Sequence, residues 1–112
     1  MVVFMEPEAG TEQEFNRWYN QNHVPERVSV PGILSARRYE LSDGDGALKY
    51  LAIYELENED VLHSEAYLKN VEESTPMDFP RPKVQRLVYR QSFPESGAYV
   101  DTPETSSTDP RS

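Results

Sequence analysis

A chain of 112 residues with a formal net charge of −9 and no cysteine has a limited set of possible structures and functions. This length suffices for one domain with a hydrophobic core and leaves no room for a second. Without cysteine there are no disulfides, catalytic thiolates or thiolate-bound metal centres, and the acidity disfavours nucleic acid and anionic membranes, whose phosphates attract clustered Lys and Arg.

The N-terminal segment predicts a strand that leads into a helix. Val2–Met5 is short, apolar and β-branched at its start, and Pro7 closes it. Thr11 and Glu14 have the spacing of a capping box, in which hydroxyl and carboxylate satisfy free backbone N–H groups. A helix is therefore predicted to begin at Thr11.

This helix has one apolar face. Pro25 disfavours α geometry in the residue before it, so the helix is predicted to end near His23. The residues at helical spacing that define the buried face are Phe15, Trp18, Tyr19 and Asn22.

A β-hairpin is predicted next. Ile33–Leu41 and Leu48–Leu56 are rich in strand-forming residues, and Pro31-Gly32 precedes the first of them. The segment between them, Ser42–Gly46, places glycines after aspartates, which supplies positive φ at low cost.

The remaining elements are a helical region and a final strand. Asn58–Leu62 and Ser64–Glu73 are predicted to be two helical pieces with Asn58 and Ser64 as caps. After a proline-rich loop, Val84–Phe93 alternates well enough to be the last strand.

The predicted order is β-α-β-β-α-β, a ferredoxin-like α+β fold with a four-stranded antiparallel sheet. Residues 1–93 are predicted to form this domain. Residues 94–112 are rich in Pro, Ser, Thr and acidic residues and are predicted to be a mobile tail.

The two middle strands carry apolar residues on both faces, as Tyr50, Ala52 and Tyr54 alternate with Leu51 and Ile53. Helices cover only one face of such a sheet. A second copy of the sheet is the simplest cover for the other, so a homodimer is predicted.

His23 is the first candidate for chemistry, because a histidine titrates near neutrality and can act as general acid or base. It flanks the buried helical face, which directs it towards the space between helix and sheet. Two structural interpretations compete: a cap on the helix C-terminus, favoured by the dipole, or a satisfied core residue.

Arg37 and Arg38 are adjacent in a strand and therefore lie on opposite faces, so one of them is predicted to point inward. A buried arginine needs an anionic partner. An internal carboxylate of Glu26, Glu40 or Glu55 is the favoured expectation, and a substrate carboxylate or phenolate is the alternative.

Tyrosines are numerous for a small core, and a buried tyrosine hydroxyl needs a partner. Converging hydroxyls can stabilise an enolate or phenolate oxygen, although amphipathic packing explains any single tyrosine equally well. The candidates are Tyr19, Tyr39, Tyr50 and Tyr54.

The stretch Glu14–Leu41, EFNRWYNQNHVPERVSVPGILSARRYEL, resembles the signature half of the EthD-like branch of dimeric α/β barrel proteins. The strand YLAIYELE follows this stretch and shares the resemblance, and a weaker likeness through Ser64–Leu68 and the predicted last strand VYRQ extends it over roughly residues 1–93. The residues that carry it are Phe15, Trp18-Tyr19, His23, Pro25, Pro31-Gly32 and Arg37-Arg38-Tyr39.

The resemblance implies a head-to-head dimer whose two sheets form a central barrel, with one pocket per subunit between sheet and helices. Relatives include isomerases, polyketide cyclases and dehydratases, decarboxylases, cofactor-free monooxygenases and haem-acting enzymes. It also implies that His23 is the acid/base. His63 falls in a polar linker, so no second histidine is expected in the pocket.

The function predicted first is a cofactor-independent enzyme of the dehydratase, cyclase, isomerase or decarboxylase type, acting on a small aromatic or polyketide-like molecule. His23 would move the proton and Arg37 or Arg38 would stabilise anionic charge. Tyr19, Tyr39, Tyr50 and Tyr54 would donate hydrogen bonds, and Phe15 and Trp18 would wall the pocket.

Two alternatives remain open from the sequence: a non-catalytic accessory or binding protein with a closed interior, and a cofactor-free monooxygenase. No metal or nucleotide motif is present, so no cofactor is predicted. No secretory signal or run of about 20 apolar residues is present either, so a cytoplasmic location is predicted.

Overall fold

A computed structural model describes residues 1–101 and shows a four-stranded antiparallel sheet in the order β2-β3-β1-β4. The predicted ferredoxin-like α+β fold is confirmed by this order and by the sequence of elements. The strands are β1 (Val2–Glu6), β2 (Ile33–Glu40), β3 (Tyr50–Leu56) and β4 (Lys83–Leu87), and the helices are α1 (Glu12–Trp18), α2 (Val24–Val28) and α3 (Glu65–Glu72).

The first helix does not end near His23, and that prediction is wrong. It continues as a π turn at Tyr19–His23 and then as α2, with the Val24 N–H donating to the Tyr19 carbonyl five residues back. Pro25 lacks an N–H and its ring crowds the preceding turn of an α-helix, and a widened turn relieves both problems.

The capping box at the start of α1 is also absent. The Thr11 hydroxyl donates to the Glu8 carbonyl at 2.7 Å instead of accepting from the helix, so no side chain caps this end.

The caps of the second helical region are confirmed. The Asn58 side chain accepts from the Asp60 N–H at 2.9 Å, and the Ser64 hydroxyl accepts from the Tyr67 N–H at 3.1 Å.

The predicted hairpin is confirmed, with antiparallel β2 and β3 joined through a loop in which Gly44 and Gly46 have positive φ. Gly32, before β2, also has a positive φ of 95°, and an added Cβ would lie 2.5 Å from a methyl group of Val61. Only glycine fits that close approach without strain.

The last strand is shorter than the predicted Val84–Phe93, because it pairs only with β1. Leu87 pairs with Val2, the first residue of β1, so residues beyond Leu87 have no further strand residues of β1 to pair with. Residues 88–101 form no helix or strand. The predicted tail therefore lies partly in this irregular segment, and its remainder, residues 102–112, falls outside the described residues.

The core lies between the helices and one face of the sheet. Phe15, Ala52, Met5 and Tyr54 are at most 2% exposed, and they come from α1, β3 and β1. Burial of these side chains is the main stabilising term for a domain of this size.

The opposite face of the sheet is open and partly apolar. Register places Arg37 opposite Ile53, and Tyr39 opposite Leu51, with Val2 and Phe4 of β1 alongside. We call this surface the open face.

Within residues 1–101 no helix is long and apolar enough to cross a membrane.

Candidate functional site

The π turn brings the rings of Trp18 and Tyr19 against the imidazole of His23, and we call these three side chains the aromatic column. The imidazole lies 4.7 Å from the Trp18 ring centroid at 30°, and 4.6 Å from the Tyr19 ring centroid at 53°. A widened turn places residues five apart on one side of the helix, which is how Trp18 and His23 come into contact. The π turn therefore positions the predicted acid/base.

His23 is half-buried and makes no side-chain hydrogen bond within residues 1–101, and its Nδ1 is buried without a partner. Burial, with a smaller contribution from the nearby Arg27 guanidinium, lowers the pKa of His23 to about 4, while Glu26 acts in the opposite direction. The imidazole is thus neutral at pH 7 and free to accept a proton. Neither a helix cap nor a satisfied core residue describes this geometry.

Tyr19 and Tyr54 meet in the interior beside this column. Their hydroxyls are 3.4 Å apart, and both side chains are buried. Burial raises the pKa of each, so both remain protonated hydrogen-bond donors. The Tyr54 hydroxyl donates to the Tyr19 hydroxyl, whose own proton is then available to an oxygen that gains negative charge.

Arg38, and not Arg37, points towards the helices. Its guanidinium lies 4.6 Å from the Tyr19 ring centroid, and donates to Asn20 Oδ1 at 2.8 Å and Asn16 Oδ1 at 2.9 Å. Arg37 is exposed on the open face and does not join the other predicted catalytic residues. Tyr39 is exposed on the same side of β2, and it also lines the cleft beside Arg38 that is described below.

The expected internal ion pair of this arginine is not formed. Among residues 1–101, no carboxylate lies within 4.0 Å of Arg38. Glu26 instead accepts hydrogen bonds from the N–H and hydroxyl of Thr75, Glu55 faces the open side, and Glu40 is exposed.

Arg27 was not singled out by the sequence, yet it is 8% exposed, a buried arginine in the core layer. It donates to Asn70 Oδ1 at 2.8 Å and Ser74 Oγ at 2.9 Å. Arg27 is four residues after His23, so in a continuous helix both lie on the same side. This spacing was the feature of the sequence that could have identified Arg27 as a site residue.

Tyr50 belongs to a polar network at the other end of α1. Its hydroxyl donates to Glu12 at 2.6 Å and accepts from Asn16 at 3.2 Å, while Lys49 pairs with Glu12 at 2.7 Å. Hydrogen bonds from Lys49 and Tyr50 lower the pKa of Glu12. These bonds hold Asn16, and through it Arg38, in place.

The predicted pocket walls are packed together. Phe15 has 0% exposure, and Phe79 packs edge-on against Phe15 and Trp18 at 6.3 and 5.9 Å. The segment carrying Phe79 is held over the aromatic column by a bond from the Trp18 indole N–H to the Thr75 carbonyl at 3.0 Å.

Two surface cavities flank this packed interior. A groove of about 1260 Å³ runs between the edge of the open face and residues 88–98, and Tyr54 contributes to it. A cleft of about 260 Å³ is lined by Asn16, Asn20, Arg38, Tyr39, Glu40 and Tyr50. His23 lines neither cavity, and Arg38 is the charged group that joins the cleft to the aromatic column.

Histidines and carboxylates do not cluster anywhere in residues 1–101 in a way that could hold a metal ion. The polar groups that the structure brings together at the site are an unprotonated imidazole, tyrosine hydroxyls and guanidinium groups.

The fold and this cluster define a ferredoxin-like α+β domain with an aromatic, histidine-containing site between helix and sheet. No family model matches the chain, and no curated protein matches it. Among solved structures it is similar to the crystal structure of an ethyl tert-butyl ether D (EthD) family protein from Bacillus halodurans C-125. That likeness has a TM-score of 0.49 and 7% sequence identity, and it covers 78% of this chain and 96% of the other.

Proposed function

We propose that this chain is a cofactor-independent enzyme that acts on a small aromatic or polyketide-like molecule, with His23 as general acid/base. Dehydration, cyclisation, isomerisation and decarboxylation of such molecules share an enolate-like intermediate. The observation that carries the proposal is the buried, unpartnered Nδ1 of His23 in an aromatic column.

A neutral imidazole without an internal hydrogen bond retains its capacity to accept a proton. In the proposed reaction His23 removes a proton from carbon, and the Tyr19 hydroxyl, which accepts from Tyr54, donates to the oxygen that becomes negative. A bound anion beside the ring would offset the nearby guanidinium charge and raise the pKa of His23 towards neutrality, where proton transfer is most efficient.

The first test replaces the base. We expect His23→Asn to slow exchange of the α-carbon proton of an enolisable aromatic ketone or β-ketoacid at least about 100-fold, since a positioned acid/base contributes factors of that order. Exchange into deuterated water is followed by proton NMR over a panel of such compounds. His63→Asn is the matched control, because His63 is exposed and is the other histidine of the chain.

Exchange in His23→Asn within a few-fold of wild type would show that His23 is not the base. No exchange by the wild type with any member of the panel would favour the second function below.

The packing of the interior favours one alternative, a non-catalytic accessory or binding protein. Phe15 is fully buried and His23 lines neither surface cavity. An interior of this kind that never opens would serve only to stabilise the fold, and the surface would carry the function.

We also propose that two copies of the chain pair through their open faces. Leu51, Val2 and Phe4 are only partly exposed there, and Ile53 is 36% exposed. A contiguous apolar patch on a sheet face is a common interaction surface. Arg37 and Tyr39 would then lie at the interface between copies.

Leu51→Glu is expected to abolish this dimer at micromolar concentration, because it places a carboxylate in the apolar interface, where desolvation costs several kcal/mol. Light scattering after gel filtration measures the mass. Leu68→Glu, at a position 57% exposed on α3, is the control and should leave the mass unchanged. A monomeric wild type would contradict the proposal.

A further inference from the structure

Two guanidinium groups lie inside or at the edge of the aromatic site without a carboxylate partner. Arg27 is 8% exposed, and Arg38 is partly buried. Within residues 1–101 no acidic oxygen lies within 4.0 Å of either group. The chain carries 20 acidic residues against 11 basic ones, so a shortage of carboxylates does not explain the missing partners.

Arg38 is held in position but not neutralised. Its guanidinium lies over the rings of Phe15, Tyr19 and Tyr50 at 5.4, 4.6 and 5.3 Å, and its two hydrogen bonds go to uncharged amides. Its Nε is buried without a partner. A buried donor left unpaired costs about 1–3 kcal/mol, more when it is charged, and a structure that keeps such a group gains when an anion binds.

The nearby carboxylates are fixed elsewhere or exposed. Glu12 is engaged by Lys49 and Tyr50, and Glu26 by Thr75. Glu40 is exposed at the rim of the cleft and forms no ion pair with Arg38. The amides of Asn16 and Asn20 occupy the places next to the guanidinium where a protein carboxylate would neutralise it.

The cleft gives solvent access to Arg38. It has a volume of about 260 Å³, enough for a small planar group, and its lining includes Tyr50, whose ring centroid lies 5.3 Å from the Arg38 guanidinium. An arginine carries five N–H donors, of which Arg38 uses two on the asparagines. Guanidinium donors beside aromatic rings suit a carboxylate or phenolate attached to a flat apolar body.

We infer that the ligand of this site is an aromatic organic anion whose carboxylate or phenolate oxygen binds Arg38 at the cleft, with Arg27 supplying a second positive charge to the interior. This inference rests on the proposed function and names its substrate class. Arg38 is the residue that binds the charge, and Arg27 is a positioning residue that acts through the field it sets around His23 and Tyr19.

The electrostatics of the interior agree with this assignment. Arg27 contributes to the lowered pKa of His23, and Arg38 acts on it in the same direction. An anion bound to Arg38 would oppose the effect of both positive charges on His23. Binding of the ligand would therefore raise the pKa of His23 as well as supply the missing counter-charge.

Trp18 is the single tryptophan of the chain and contacts His23, so its fluorescence reports on this site. The probes are benzoate and its uncharged analogue benzamide, titrated against the full-length wild type at low ionic strength. We expect benzoate to bind at least about tenfold more tightly than benzamide, the equivalent of about 1.4 kcal/mol for one charge-assisted contact.

The variants separate this contact from general charge effects. Arg38→Gln should remove the preference for benzoate, and Arg37→Gln, the same change one residue away on the open face, should retain it. Glu40→Gln should strengthen benzoate binding slightly, because it removes a negative charge from the rim.

The Arg27 variants test the second positive charge. Arg27→Lys should retain the preference for benzoate over benzamide, and Arg27→Gln should reduce this preference and raise the pKa of His23 in histidine NMR titrations. Circular dichroism checks the fold of each variant.

Equal binding of benzoate and benzamide, no binding of either, or an equal loss in Arg37→Gln would overturn the inference. His23→Asn keeps this failure distinct from failure of the proposed function. A variant that loses proton exchange but still prefers benzoate supports both ideas, and a wild type that prefers benzoate but exchanges no proton supports an anion-binding protein that is not an enzyme.

Discussion

Phe15→Ala is expected to lower the free energy of unfolding by about 3–5 kcal/mol, the range measured when a buried phenylalanine is truncated. Phe15 has 0% exposure, and the rings of Tyr19 and Tyr50 lie 5.6 Å from it. The Arg38 guanidinium and Phe79 also contact its ring. The change removes the central member of this cluster, and its neighbours cannot all move in to fill the space.

Urea denaturation followed by Trp18 fluorescence measures this loss. Domains of this size have a free energy of unfolding of about 5–15 kcal/mol, so the expected loss is a large part of the total stability. Phe93→Ala is the matched control: Phe93 is 74% exposed, and its truncation should change stability by less than about 0.5 kcal/mol. A loss below about 1 kcal/mol for Phe15→Ala would show that the aromatic cluster is loosely packed.

The fold was predictable because each element has a strong local signal. The alternation in Leu48–Leu56, the aspartate-glycine turn and the caps at Asn58 and Ser64 all depend on residues close in sequence. These signals gave the element order, and the order restricted the topology to a small number of choices.

The faces of β2 were not predictable in the same way. A β-bulge between Ile33 and Ser35 shifts the alternation, so Ile33 and Arg38 face the helices while Tyr39 faces the open side. Continuous alternation would have placed Tyr39 on the same face as Ile33. Which arginine points inward thus depended on one irregular residue whose signal is absent from the local sequence.

The site was half predicted for a related reason. Phe15, Trp18, Tyr19 and His23 follow from helical spacing, and they do come together. Arg27 was not predicted to belong to the site, because a helix that ends near His23 would not include it. The π turn that absorbs Pro25 extends the helix and buries Arg27 beside the predicted acid/base.

The pH dependence of stability provides the second large effect. The pKa of His23 falls from 6.5 to about 4 on folding, so between these values the unfolded chain binds a proton that the folded chain does not. Stability from this group is therefore complete above about pH 6.5 and is lost as the pH falls towards 4. The full shift is equivalent to about 3 kcal/mol, of which about 2 kcal/mol is lost between pH 7 and pH 5.

His23→Asn removes this titration and leaves the other ionisable groups in place. Urea denaturation of wild type and variant at pH 7 and pH 5 gives the change in free energy of unfolding for each. We expect the wild type to lose about 2 kcal/mol more than the variant over this interval, and His63→Asn to follow the wild type. Comparing the two proteins cancels the titration of the many carboxylates.

Histidine NMR tests the same shift directly, because His23 and His63 are the two histidines of the chain. Equal pH dependence of wild type and His23→Asn, together with a His23 pKa near 6.5, would mean that the ring is solvated and that the aromatic column opens in solution. An open column would admit a substrate without rearrangement. A pKa near 4 instead requires Trp18 and Tyr19 to stay closed on the imidazole until a ligand replaces their contacts.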